Sequence, residues 1–167
     1  MKTNNFFRSL ALATVAILGS TGSIGKNLIN ILKKDKNNFK IGMGTKGELI
    51  EPMEENNFFD LIKNKLELKY LRHSVKLNKK ISKVSIVVGS GSFAIKNSLD
   101  SNVDAFITSD LKYHNFYEAD NKAILVDIGH YESENHIKLI IKEFLNKKLP
   151  SFTILLSTEN INPVNYY

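Results

Sequence analysis

Four short runs rich in β-branched residues, KVSIVV (83–88), DAFITS (104–109), AILVDI (123–128) and FTILLS (152–157), alternate with helix-patterned segments. The helical patterns are FAIKNSLDS (93–101), KYHNFYEAD (112–120) and ENHIKLIIKEFLNKK (134–148). Strands that alternate with helices are joined by crossovers, and crossovers place strands side by side in one direction. The sequence therefore predicts an α/β fold, a layered mixed sheet with helices and with at least part of the sheet parallel.

The first half is less regular. Val15 to Leu18 reads as a strand, followed by a glycine loop and a helix to about Lys34. MKTNNFFRS, LALATVAIL and GSTGS also have the order of a secretory leader. The direct continuation into KNLINILKK, with Leu28, Ile29 and Leu32 at helical spacing, favours the strand–turn–helix unit. KKDKNNF is a polar break, FKIGMG is short and extended, and GELIEP stops at Pro52. Residues 54–66 form an amphipathic helix with Phe58, Leu61, Ile62 and Leu66 on one side, and LKYLRHS is a short strand. The main boundary falls in the polar stretch 33–40, dividing the chain into segments 1–40 and 41–167.

The 167 residues suffice for one ordinary domain, and a hydrophobic fraction of 43% with 24% charged residues matches a globular protein. Net charge is +6, but only Arg8 and Arg72 are arginines, and the lysines are spread along the chain. Nucleic-acid readers cluster their basic residues and favour the arginine fork, so this charge argues against a nucleic-acid partner. Cysteine is absent, which excludes disulfides and thiolate metal sites and suits a cytoplasmic setting. Any metal must be held by His, Asp and Glu, a donor set suited to zinc, iron or manganese. No apolar run approaches the roughly 18 residues of a membrane span.

Chemistry gathers where strands end. VDIGHYESENH (126–136) places His130 just after Gly129 and Glu134 four residues on. At that spacing the two side chains share a helical face, about 40° apart, and could share one divalent cation. The same spacing suits a first-turn carboxylate beside a solvent histidine, and two ligands do not make a site. His136 lies about 240° round from His130 and cannot join it. Asp110 and His114 repeat the i,i+4 spacing after DAFITS, although an Asp there also serves as a helix cap. GSGSF (89–93) follows a third strand and offers amides to an anion. LGSTGSIG (18–25) has Gly19, Gly22 and Gly25 between strand and helix, as a pyrophosphate loop requires, but no acidic residue stands about 20 residues on.

On GMGTKGELIEP, VVGSGSF, DAFITSDLKYH, VDIGHYESE and NINPVNYY, residues 41–167 resemble the NIF-three-like dinuclear metal-centre family, the GTP cyclohydrolase 1 type 2 homologues. Thr45-Lys46 departs from that pattern at a turn. The resemblance implies the C-terminal half of that fold, with His130 and Glu134 of the GHxxSE motif as metal ligands. Asp110 and His114, in the T-x-D-x-x-x-H segment, would stand close behind them. It further implies hexameric assembly and two metals that activate water for hydrolysis. The paired histidines and further acidic ligand of the family's N-terminal half have no counterpart, since no His precedes His73.

Residues 14–41, TVAILGSTGSIGKNLINILKKDKNNFKI, are instead similar to the opening of 1-deoxy-D-xylulose 5-phosphate reductoisomerase, an enzyme of isoprenoid biosynthesis. That resemblance implies a Rossmann-like strand–loop–helix unit with Thr21, Gly22, Ser23 and Ile24 touching NADPH. Three functions follow as expectations: a metal-dependent hydrolase with an incomplete metal site, an NADPH-binding fragment, or a non-catalytic assembly module.

Overall fold

The computed structural model describes residues 44–159 and 162–166. The strand, glycine loop and helix expected before residue 41, the extended FKIGM and the 33–40 boundary lie outside them. The elements run β1 (Thr45–Met53), α1 (Glu55–Leu66), β2 (Arg72–His73), β3 (Ile81–Ser90), α2 (Ile95–Asp100), β4 (Ala105–Ser109), β5 (Ile124–Asp127), α3 (His130–Glu134) and α4 (Ile137–Lys148). Short 3₁₀ turns occupy Ser92–Ala94 and Tyr113–Ala119. The five strands form one mixed sheet in the order β1-β3-β4-β5-β2. Its centre, β3, β4 and β5, is parallel, and β1 and β2 close the edges antiparallel.

The central strands are apolar almost throughout because both faces of the sheet are covered. Ile86, Ile107, Ile124 and Val126 face α1 and meet Phe58, Phe59 and Ile62. Val87, Phe106 and Leu125 point the other way, onto Ala94, Ile95, Leu111 and Ala119. Side chains alternate along a strand, so one run of apolar residues supplies both cores. Helix α1 buries Phe58, Phe59 and Ile62 and ends where Glu67 turns left-handed, with φ at 55°. Its Leu61 is only partly buried.

Three sequence expectations are corrected. Pro52 does not stop β1, which runs on to Met53. An edge strand needs partners on one side only, and the β1–β3 register slips between Glu48 and Met53, so the missing proline N–H costs no regular ladder bond. FTILLS is not a strand. No strand among the described residues pairs with it, and Phe152 and Leu155 are exposed. KYHNFYEAD is a 3₁₀ turn rather than an α-helix. Helix α4 forms as expected but has no buried residue among the described ones, and Leu139 and Ile141 lie open. Among the described residues no helix is long and apolar enough to cross a membrane.

Asp104 pins the start of the parallel sheet. Its carboxylate accepts the Ser82 and Lys83 amides at 2.9 and 2.8 Å and lies 3.4 Å from Lys79 Nζ. Burial opposes its charge, but the Lys83 and Ser82 amides and Lys79 outweigh that and hold its pKa below 3.8. A depressed carboxylate pKa stabilises the fold above the unfolded value and loses that contribution as pH falls through the folded one. We predict that Asp104→Ala costs about 1–3 kcal/mol in urea unfolding at pH 7. The loss should shrink as the pH falls below 3.8 and through the folded pKa; a pH-independent loss would contradict this assignment.

Candidate metal centre

The carboxyl ends of β3, β4 and β5 share one edge of the sheet, where ligands gather in α/β folds. Each contributes one part. Gly89 stands at the end of β3, Asp110 follows β4, and Gly129 leads from β5 into α3. Asp127, 3% exposed, ties the β4 and β5 ends together. Its carboxylate accepts the Leu111 amide at 2.9 Å and the Gly129 amide at 3.0 Å, and pairs with the Arg72 guanidinium from β2. Those amides adjoin Asp110 and His130, so Asp127 sets where both side chains start.

Asp110 has a left-handed backbone, φ 57°, which turns its carboxylate away from the following segment and onto α3. Its Oδ2 lies 2.5 Å from His130 Nδ1. A carboxylate only accepts, so Nδ1 carries the proton and the neutral ring presents a bare lone pair at Nε2. That nitrogen faces Glu134 Oε1 at 3.4 Å. A lone pair opposite a carboxylate oxygen repels unless a cation lies between them, either a proton on Nε2 or a metal. Two ligand atoms bound about 2.1 Å from one tetrahedral ion stand about 3.4 Å apart. The donors and their spacing fit a divalent cation.

Gly89, with φ at 69°, lies under the pair. A Cβ there would come within 2.8 Å of Glu134 Oε1, so only glycine lets the carboxylate approach the strand end. Its amide donates to Ser133 Oγ, so this one amide of GSGSF is not open to an anion. His114 stays out of the site. It is exposed, and its ring meets Tyr113 edge-on at 5.3 Å. The left-handed Asp110 breaks the helical spacing that would have joined them. His136 lines a different depression, beside Glu67 and Asn165. Among the described residues, no group of three or more His, Asp and Glu is placed to hold a metal ion.

The pair opens onto a cavity of about 850 Å³. Its lining includes Tyr70, Tyr131 and Tyr166. The C-terminal segment reaches across it, with Asn162 Nδ2 donating to Glu132 Oε1 at 3.2 Å and Tyr166 meeting Tyr70 at 5.5 Å. Sequence reasoning missed Asp127 and Ser133. Asp127 had left a signal, as the one charge inside the apolar run AILVDI. Thr21, Gly22, Ser23 and Ile24 lie outside the described residues.

A family model described as Duf34/NIF3 (NGG1p interacting factor 3) matches residues 3–163. The chain belongs to the Duf34/NIF3 family. It is 31% identical over 147 residues to the GTP cyclohydrolase 1 type 2 homolog of Clostridium perfringens, covering 86% of this chain and 55% of that one. The Campylobacter jejuni homolog of the same name is 39% identical over 111 residues, covering 65% and 43%. The chain thus spans about half the length of these Duf34/NIF3-type relatives. A solved Bacillus cereus protein related to NIF3 superposes with a TM-score of 0.64 at 26% identity, over 75% of this chain and 36% of that one. A Staphylococcus aureus structure, at 0.65 and 24% identity over 87% and 53%, shares the fold. The whole of the 14–41 segment read above as reductoisomerase-like lies inside the Duf34/NIF3 match, and the comparisons give the reductoisomerase resemblance no support.

The hydrogen bond His130 donates to Asp110 raises the His130 pKa above 6.5; burial works against it and the Glu134 charge adds to it. In metal-free protein, Asp110→Asn should bring the His130 titration, followed by NMR, down toward 6.5. A titration left in place would contradict the Asp110 contact.

Proposed function

We propose that the chain is part of a metal-dependent hydrolase of the Duf34/NIF3 type, with His130 and Glu134 as its ligands to a divalent cation, zinc, iron or manganese. One observation carries this reading: His130 Nε2 and Glu134 Oε1 face each other at 3.4 Å while Asp110 holds Nδ1. Such a carboxylate behind a histidine fixes its tautomer and makes the other nitrogen a better ligand. Supporting it are the family match and the relatives' shared name, a homolog of a GTP cyclohydrolase.

A cation held there would acidify a bound water and polarise a substrate. This chain's own residues do the rest. Asp110 keeps the His130 proton on Nδ1, Gly89 leaves room for the Glu134 carboxylate, and the cavity beside Tyr70 and Tyr166 receives the substrate. Two protein ligands fall short of the three or four of established sites, so the centre is completed by donors outside the described residues or from another copy. Assembly as a homo-oligomer, up to a hexamer, and a second metal belong to the same proposal, as does a cytoplasmic setting.

The test is zinc affinity against a chromophoric chelator. Wild-type protein should bind weakly, Glu134→Ala and His130→Ala at least tenfold more weakly still, and His136→Ala as wild type. Equal binding by wild type and Glu134→Ala would overturn the reading.

A further inference from the structure

Helix α3 has five residues, too few to hold itself in place. Its position on the sheet edge must come from bonds to the sheet, and Ser133 adds its own to those of Asp127 and Asp110. The Ser133 hydroxyl accepts the Gly89 amide at 3.0 Å and donates to the His130 carbonyl at 2.7 Å. It also lies 3.1 Å from Ser109 Oγ. Ser109, fully buried at the end of β4, is 3.0 Å from Gly89 O, and its single proton serves one of the two oxygens at a time. Thr108, also fully buried, donates to the same Gly89 carbonyl at 3.1 Å. Both backbone groups of Gly89 are thus held by hydroxyls. One of those hydroxyls belongs to α3, between the two residues that must converge.

We propose that Ser133 is a positioning residue that fixes His130 and Glu134 at their mutual distance by tying α3 to the ends of β3 and β4. The proposal deepens the metal-site reading, on which its functional meaning rests. Ser133 touches neither Nε2 nor Oε1 in any hydrogen bond of the site; it acts on the His130 backbone and on the strand end beneath Glu134. Losing the hydroxyl leaves the Gly89 amide without its acceptor and the first turn of α3 free to shift.

The experiment compares wild type, Ser133→Ala and Glu134→Ala in full-length chain by two readouts. Zinc affinity should fall about 10–100-fold in Ser133→Ala, the range for losing a residue that orients a ligand. In metal-free protein at pH 9, ¹⁵N spectra should show a single Nδ1–H tautomer for His130 in wild type and an averaged one in Ser133→Ala. An unchanged tautomer together with unchanged zinc affinity overturns the proposal. Should wild type and Glu134→Ala take up zinc equally, the metal reading fails and the tautomer alone decides for or against Ser133. Should Ser133→Ala fail to fold, amide exchange in wild type decides. A protected Gly89 N–H supports the bond, and exchange at the rate of an open amide overturns it.

Discussion

One buried carboxylate organises the working edge of this protein. Asp127 accepts from the chain just after Asp110 and from the chain just before His130, and it pairs with Arg72 across the β5–β2 ladder. A buried amide without an acceptor costs about 1–3 kcal/mol, so the sequence cannot discard this acid without freeing two donors at once. The consequence is positional. Because both loops are pinned to one side chain, Asp110 and His130 meet although they come from different strand ends.

From that meeting the chemistry follows by exclusion. Nδ1 is committed to Asp110, so Nε2 is the nitrogen left for a ligand, and Glu134 stands opposite it. Glycine at position 89 is required because any Cβ would push against that carboxylate. Ser133, a residue earlier, holds the short helix to the same strand ends. Each contact is modest. Together they present two donors at a separation suited to a cation.

Much of this was legible in the sequence where the signal is local. Buried parallel strands read as β-branched runs, and α1 reads from Phe58, Ile62 and Leu66 at helical spacing. His130 and Glu134 could be paired because four residues in one helix bring them together whatever the rest of the chain does. Asp110 could not be assigned its partner in this way. Spacing suggested His114, while a left-handed turn and a contact across 20 residues gave it His130. FTILLS has the composition of a strand, but a strand is a property of a pair, and none of the described strands adjoins it. Ser133 stands in the GHxxSE motif, but its role could not be read there, since a hydroxyl's role depends on what lies beside it.

The chain spans about half of its curated relatives, and among the described residues no group of three or more His, Asp and Glu is placed to hold a metal ion, where a stable centre needs that many. The most direct test of the central claim is anomalous diffraction from zinc-soaked crystals. The account predicts a peak about 2 Å from both His130 Nε2 and Glu134 Oε1. Zinc on His130 Nδ1 with Asp110 displaced, or no peak at this edge of the sheet, would contradict it.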